Sequence, residues 1–255
     1  MTKQYLRFTV LIFISVALFS SCKKTHPLHA YPDNMRLLNF TKTTTNSTSP
    51  TVIVYENYRF IYDGYNRVSQ IIHTKNDGSS NLISNLTYKN DTIYDTTRYV
   101  NQSTLIEVDT FVTDQKGLIS ITYEPGLKTE YTYLGKLLTR KATSSTDYFT
   151  YTSYNANILK ATNSLDANKN TDCTYYTDKF NRVGDYLQLN GYLKYGFNFY
   201  QNDNLIWKLI YPNVTVNIDY VIDADNKITK TTALSVDAAG HTTTEVFDLQ
   251  YEQFK

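Results

Sequence analysis

Cysteine is scarce in this sequence, and net charge is nearly absent. The 255 residues contain two cysteines, Cys22 and Cys173, and the formal net charge is +1. If Cys22 is used in N-terminal processing, no internal disulfide can form, and stability must come from packing. Because positive and negative charges nearly cancel, no strong field favours binding to nucleic acid or to an anionic membrane surface.

Helical periodicity and catalytic motifs are also missing. Few segments place apolar residues at i, i+3, i+4 and i+7. The sequence contains no Gly-x-Ser-x-Gly, no Walker loop and no His-Glu-x-x-His, and its four histidines never fall at metal-ligand spacing. We therefore expect no long helix in the mature domain, no enzyme activity, no metal site and no cofactor.

The first 21 residues have the pattern of a secretory signal peptide. Lys3 and Arg7 precede an apolar run from Phe8 to Phe19, which is shorter than the roughly 20 residues that a membrane-spanning helix needs. The following Phe19-Ser20-Ser21-Cys22 resembles a bacterial lipobox, in which the cysteine becomes the acylated first residue. The resemblance implies a lipoprotein anchored by fatty acids such as palmitate at Cys22. The alternative is an ordinary cleaved signal followed by a free cysteine.

The residues after Cys22 indicate how the chain is organised. No acidic cluster like the surface-export signal of Bacteroidota lipoproteins follows Cys22, so we expect the periplasmic face of the outer membrane rather than the cell surface. Residues 22–35 are polar, contain two prolines and show no periodicity, which is typical of a flexible tether. We expect a single domain over residues 36–255.

Tyrosine is unusually abundant, with 24 residues against one tryptophan and two methionines. Together with threonine, valine and isoleucine, it favours a pleated and half-buried surface. Tetrads that begin with Asp and end with Asn or Gly recur between the aromatic runs: Asp63–Asn66, Asp114–Gly117, Asp178–Asn181 and Asp223–Asn226, with degenerate versions at 134–136, 154–157, 202–204 and 237–240.

Each tetrad predicts a tight hairpin turn. The Asp side chain can accept a hydrogen bond from a backbone N–H two residues on, and Asn or Gly tolerates the left-handed conformation that returns the chain. With hairpins in sequence and no crossover helices, the strands must be antiparallel. The predicted fold is all-β, an antiparallel meander of β-hairpin repeats that forms an extended or curled sheet.

The segment Arg59 to Val68, RFIYDGYNRV, resembles the YD repeat of RHS-type proteins, in which an aromatic strand ends in Tyr-Asp and restarts after Gly/Asn-Arg. With the lipobox and the tyrosine, asparagine and threonine bias, the chain is similar to YD-repeat-like lipoproteins of Bacteroidota. That resemblance implies a hairpin architecture and no particular activity.

The aromatic residues near the stretch 192–211 are the candidate binding site. Strand alternation places Tyr195, Phe197 and Phe199 on a core face and Tyr192 and Tyr200 on the opposite face. Outward rings could form a platform for sugar rings or a partner protein, while plain sheet packing is the alternative. The candidate ligand-binding residues are Tyr192, Tyr200, Trp207 and Tyr211.

Two functional hypotheses follow from these features. The first is a non-catalytic binding module that takes a glycan or a protein on an aromatic sheet face. The second is a structural lipoprotein whose sheet edges pair with another envelope component. In addition, Asp91-Thr92-Ile93 and Asp95-Thr96-Thr97 resemble O-glycosylation motifs of Bacteroidota, which would require Thr92 and Thr96 to be exposed.

Overall fold

The computed structural model describes residues 35–50, 53–76, 81–189 and 202–254. Within these ranges the chain forms sixteen β-strands and almost no helix. The strands are β1 Met35–Asn46, β2 Val54–Tyr62, β3 Val68–Lys75, β4 Leu82–Lys89, β5 Thr92–Tyr99, β6 Leu105–Thr113, β7 Ile119–Glu124, β8 Leu127–Leu134, β9 Leu137–Ala142, β10 Tyr148–Tyr154, β11 Asn157–Asn163, β12 Thr171–Phe180, β13 Asn204–Ile210, β14 Val214–Ile222, β15 Ile228–Asp237 and β16 Thr242–Gln253. In addition, Ala167–Lys169 form a turn of 3-10 helix, and residues 186–189 are helical.

The strands form a closed barrel. Each strand pairs antiparallel with its neighbours in sequence, and β1 closes the ring by pairing with β16 from Met35↔Gln253 to Asn46↔Thr243. The predicted all-β antiparallel meander is therefore confirmed. The prediction of an extended or curled sheet is wrong, because the two 12-residue terminal strands satisfy each other's edge hydrogen bonds.

Side chains alternate between the lumen and the outer surface, as the two-residue period of a strand requires. On β2, Tyr58 and Phe60 are buried in the lumen, whereas Tyr55, Asn57 and Arg59 are exposed outside. The same alternation runs along the other strands, but the polarity is mixed: Asp95, Asp109, Thr122 and Thr129 are buried inside, and apolar side chains such as Val108, Leu127 and Val221 are exposed outside. Exposed outward charges include Arg59, Lys128, Glu130, Lys160, Asp219, Lys230 and Asp248.

The lumen contains the hydrophobic core. The Phe40 ring is fully buried, with ring centroids 4.9 Å from Tyr58, 5.8 Å from Phe60 and 6.0 Å from Phe247. Aliphatic side chains from both halves of the chain complete the core, including Ile71, Leu86, Ile93, Ile218, Ile228 and Leu249. Burial of these apolar groups is the main source of stability.

Residues 181–189, which we call the inner segment, pack against the inward faces of β14, β15 and β16. Thr231 Oγ1 donates to the Gly184 carbonyl at 2.8 Å, and the Tyr251 hydroxyl donates to the Val183 carbonyl at 3.1 Å. Gly184 has a φ of +104°, and a Cβ there would lie 3.0 Å from Ile228 Cβ. Glycine is therefore required both for its backbone conformation and for this close approach.

Most of the predicted turns are confirmed, with the predicted chemistry. Asp63 Oδ1 accepts from the backbone N–H groups of Tyr65 and Arg67 at 2.9 and 3.0 Å. Asp114, Asp223 and Asp237 accept in the same way from the residues two and four positions on. The fourth residues have the expected positive φ: Asn66 61°, Gly117 76°, Asn226 61° and Gly240 84°.

The turn predicted at Asp178–Asn181 is wrong. Strand β12 continues through Phe180, and the chain then enters the inner segment instead of reversing at once. The reason is packing, because Val183 contacts the core and Tyr186 and Leu189 are buried in it. The degenerate site at 202–204 is also no hairpin turn, since Asn204 begins β13.

The described residues belong to one compact unit. They include no helix long and apolar enough to cross a membrane. The predicted signal peptide, Cys22 and the tether up to residue 34 lie outside the described residues, and lipidation stays a prediction.

Candidate functional site

Two exposed tyrosines form a row on the outer wall. Tyr94 on β5 pairs with Thr110 on β6, and Thr110 pairs in turn with Tyr123 on β7. The side chains of Tyr94 and Tyr123 are 40% and 44% exposed. Since adjacent strands are about 4.8 Å apart, the two rings are separated by roughly 10 Å, with the small Thr110 between them. We call Tyr94, Thr110 and Tyr123 the aromatic row.

Apolar neighbours extend the aromatic row. Val108 is exposed and lies next to Thr110 on the outer face of β6, while Val112 and Ile121 form a cross-strand pair beside Tyr123. Isolated exposed apolar residues are ordinary, but a contiguous group on a polar wall is typical of a contact surface.

A cavity of about 400 Å³ adjoins the aromatic row on the same wall. The connection is direct, because Tyr123 pairs with Lys128, which lines the cavity. We call this space the wall cavity. Its lining residues are Lys128, Glu130, Arg140, Ala142, Thr143, Ser144 and Ser145.

The charges of the wall cavity differ in how they are compensated. Lys128 Nζ lies 2.6 Å from Glu130 Oε1, and this hydrogen bond lowers the pKa of Glu130 and raises the pKa of Lys128. The Arg140 guanidinium instead lies over the Tyr148 ring, 4.6 Å from its centroid. Among the residues that the structure describes, Arg140 contacts this ring and attracts Glu130, whose pKa it helps to lower, without donating a side-chain hydrogen bond. The guanidinium is thus held in place while its N–H donors remain available.

Hydrogen bonds within the loop 143–147 order the rim of the wall cavity. The backbone N–H groups of Thr143 and Ser144 donate to the Asp147 carbonyl at 3.0 and 3.2 Å. Ser144 Oγ in turn accepts from the Asp147 N–H at 2.9 Å. The rim therefore presents hydroxyl groups on an ordered loop.

The predicted platform residues are distributed differently from the aromatic row. Trp207 is 38% exposed, and its nearest aromatic neighbour in the described chain is Tyr176, at a centroid distance of 6.5 Å. Tyr211 is partly buried and packs against the core, and burial raises the pKa of its hydroxyl. Tyr192 and Tyr200 lie outside the described residues, so the four-ring platform stays a prediction.

A polar cluster lies inside the barrel. Glu56 Oε2 accepts from the Tyr58 hydroxyl at 2.9 Å and lies 2.8 Å from His73 Nε2. Burial raises the pKa of Glu56, but these hydrogen bonds outweigh it and the net pKa is lowered. The pKa of His73 is also lowered, in this case by burial itself.

A second cavity of about 120 Å³ adjoins this cluster and is lined by His73, Glu107 and the buried pair Asp95 and Asp109, among others. Among the residues that the structure describes, no group of three or more His, Cys, Asp or Glu has a geometry suited to a metal ion.

Two further candidates can be placed. Burial raises the pKa of the Cys173 thiol to about 12, so this cysteine is unsuited to nucleophilic chemistry. Thr92 and Thr96 lie on the outer face in the register of Tyr94, and both are half-buried. Glycosylation of either threonine stays a prediction.

Comparison with known proteins gives a likeness of fold. No family model and no curated protein matches the sequence. A porin-like protein from Bacteroides uniformis ATCC 8492 matches with a TM-score of 0.63 and 13% identity, over 85% of this chain and 96% of that one. A porin-like protein from Bacteroides vulgatus ATCC 8482 has a TM-score of 0.42 and 12% identity, over 85% and 99% of the two chains, and is too distant to support an inference.

These results overturn the assignment to YD-repeat-like lipoproteins. No family model supports it, and the fold is shared with a porin-like protein instead. The segment that carried the resemblance is a hairpin turn, whose Asp and Asn are explained by local backbone chemistry. The assignment is therefore wrong.

Proposed function

We propose that this protein is a lipid-tethered barrel of the outer membrane and acts as a non-catalytic binding module, with a glycan bound on its outer wall. The observation that carries the proposal is the aromatic row, two exposed rings aligned across a wall of mixed polar, charged and apolar residues. The wall, the lumen and the rings each support one part of it.

The polarity of the wall favours a barrel beside the membrane rather than across it. A lipid-facing wall carries an apolar band, and Arg or Lys at the bilayer midplane costs about 2–4 kcal/mol. In this barrel Arg59, Lys160 and Asp248 project outward from the middle part of their strands. In this proposal the acyl chains at Cys22 attach the protein to the membrane. A lipidated cysteine can do so because it carries more than one acyl chain, which stable anchoring requires.

The filled lumen favours binding over conduction. A water-filled channel has a polar interior, whereas this interior is packed with rings such as Phe40, Phe111 and Phe247. The inner segment occupies part of the same space, with Asp185 and Leu189 each 1% exposed. The described part of the lumen that these groups fill is therefore packed and apolar, while the Glu56 and His73 cluster and the pair Asp95 and Asp109 lie elsewhere in it.

The chemistry of the aromatic row favours a sugar chain as its ligand. A flat ring can cover the apolar C–H face of a sugar, while hydroxyl groups around it bond the sugar's own hydroxyls. Thr110 supplies a hydroxyl between the rings of Tyr94 and Tyr123. The alternative, assembly through sheet edges, has less support because each described strand already pairs on both sides.

A glycan array with the full-length protein in mild detergent tests the binding. We expect binding to a sugar chain that weakens about tenfold in Tyr94→Ala or Tyr123→Ala, from the lost ring contact. Tyr65→Ala and Tyr154→Ala are matched controls, because both rings are exposed, Tyr65 in a turn and Tyr154 at the end of β10, outside the row. Equal loss in the controls, or capture of a protein partner without any glycan, would contradict the proposal.

Membrane fractionation tests the attachment. Cys22→Ala should release the protein from the outer membrane, since no acyl chain can then be added. Retention of this variant in the outer-membrane fraction after alkaline carbonate extraction would show that the barrel wall itself is inserted.

A further inference from the structure

The wall cavity has the size and position of a sugar subsite at one end of the aromatic row. Its volume of about 400 Å³ falls in the range of small-molecule sites. A sugar chain that lies across Tyr94 and Tyr123 would reach Lys128 on the next strand, β8. A ligand unit beyond the second ring would therefore enter this cavity.

The cavity carries one cation in excess. Glu130 pairs with Lys128 at 2.6 Å and also attracts Arg140, so the lining has two positive charges and one negative charge. Stacking on Tyr148 fixes the guanidinium plane and reduces the entropy lost when it binds. A guanidinium held in this way fits a planar carboxylate through two parallel hydrogen bonds.

The remainder of the lining suits a hydroxylated ligand. Thr143, Ser144 and Ser145 place hydroxyl groups at the rim, and Ala142 leaves space at its base. Thr143 Oγ1 already donates to Asp147 and can only accept from a ligand hydroxyl, whereas the Ser145 hydroxyl can donate or accept. A sugar that bears a carboxylate satisfies both the cation and the rim.

We propose that the wall cavity binds a carboxylated sugar unit, with its carboxylate on Arg140 and its hydroxyls on the rim of loop 143–147. This inference rests on the proposed function and names the ligand class of the same surface: an acidic polysaccharide whose neighbouring units lie on Tyr94 and Tyr123.

The test is a titration of the full-length protein in mild detergent with uronic-acid oligosaccharides and with the same oligosaccharides after carboxyl reduction. We expect the acidic forms to bind at least about tenfold more tightly, and Arg140→Gln to remove that preference. Arg59→Gln is the matched control, because Arg59 is exposed on the outer wall of β2 away from the cavity. Arg140→Lys keeps the positive charge but loses the two parallel N–H donors of the guanidinium, so it should keep only part of the preference for acidic oligosaccharides.

Each other result decides against the proposal. Equal binding of acidic and reduced oligosaccharides, or an unchanged preference in Arg140→Gln, overturns the carboxylate site. Equally tight binding of polyglutamate overturns the requirement for a sugar. If reduced oligosaccharides still bind and depend on Tyr94, the proposed function stands without this inference. If no oligosaccharide binds, both fail.

Discussion

Asp185 provides a quantitative test of how the inner segment is held in the barrel. Its side chain is 1% exposed and accepts four hydrogen bonds. Oδ1 accepts from the N–H groups of Leu187 and Gln188 at 3.0 and 3.4 Å. Oδ2 accepts from Ile206 N–H at 3.1 Å and from the Tyr220 hydroxyl at 3.2 Å. One carboxyl group therefore joins the inner segment to β13 and β14.

Burial dominates the titration of this carboxyl group. It raises the pKa of Asp185 from 3.8 to about 6, although the four hydrogen bonds act in the opposite direction. The folded protein therefore binds this proton more tightly than the unfolded chain. The stability contributed by Asp185 is complete below about pH 4 and is lost as the pH rises through about 6. The full loss corresponds to about 3 kcal/mol.

Asp185→Asn removes the titration and keeps the shape. Its amide oxygen can still accept from Leu187 and Gln188, but an NH₂ group facing Ile206 N–H costs about 1–3 kcal/mol. Between about pH 4.5 and 7.5 the natural protein should lose about 2 kcal/mol that the variant does not lose. The variant should therefore be clearly less stable in acid and nearly equal to the natural protein at neutral pH.

Urea denaturation at the two pH values measures this difference. The comparison cancels all other titrating groups, because both proteins contain them. Asp178→Asn is the matched control, since Asp178 is exposed near the end of β12, and its stability should follow that of the natural protein at both pH values. A constant stability difference between Asp185→Asn and the natural protein would refute the argument that burial of this charge opposes folding.

Three further results are expected. Phe40→Ala should lower the free energy of unfolding by about 3–5 kcal/mol, because the ring is fully buried among three others. Urea denaturation measures this loss, with Tyr65→Ala as a control that should change the free energy of unfolding by less than about 0.5 kcal/mol. Similar losses in the two variants would contradict a packed lumen. Asn226→Ala should cost about 1 kcal/mol and Asn226→Gly almost nothing, since φ is 61°; equal thermal midpoints for the two variants would argue against the left-handed turn. In the folded protein at about pH 8, Cys173 should resist a disulfide reagent that modifies thiols, because burial raises the pKa of the thiol to about 12. The same thiol should react in urea. Rapid reaction in the folded protein would show that this part of the barrel opens.

The hairpins could be predicted from the sequence because their causes are local. Asp63 bonds to N–H groups two and four residues away, and Asn66 supplies the positive φ, so the tetrad contains all that the turn needs. The tetrad at Asp178 has the same Asp-x-x-Asn pattern, but no hairpin turn forms there. There the burial of Tyr186 and Leu189 in the lumen outweighs the local preference for a turn. This burial depends on strands that lie later in the sequence.

Closure of the barrel could not be predicted in the same way. It depends on pairs such as Met35↔Gln253, whose partners lie at opposite ends of the domain. Alternation within β1 or β16 indicates a strand but carries no information about its partner. A meander with two free edges and a closed barrel therefore have the same local pattern.

The proposed binding surface could not be predicted from the sequence for a related reason. On β5, hydrophobicity alone would bury Tyr94 and expose Asp95, yet Asp95 is 3% exposed and Tyr94 faces outward. Register with β4 and β6 decides the facing, because Ile93 belongs to the core and places Tyr94 on the other side. Arg140 gave no sequence signal, since its role depends on Tyr148 across the strand pair.

The exposed areas on the outer wall indicate why the proposed glycan site would need the wall cavity in addition to the aromatic row. With a tyrosine surface of roughly 200 Å², the exposed 40% and 44% of Tyr94 and Tyr123 amount to about 80–90 Å² each. Covering both rings contributes at most about 4 kcal/mol, which alone corresponds to millimolar affinity. A charge-assisted pair at Arg140 adds about 2 kcal/mol and brings the dissociation constant to tens of micromolar. Binding of that strength that survived Arg140→Gln unchanged would place the ligand on another surface.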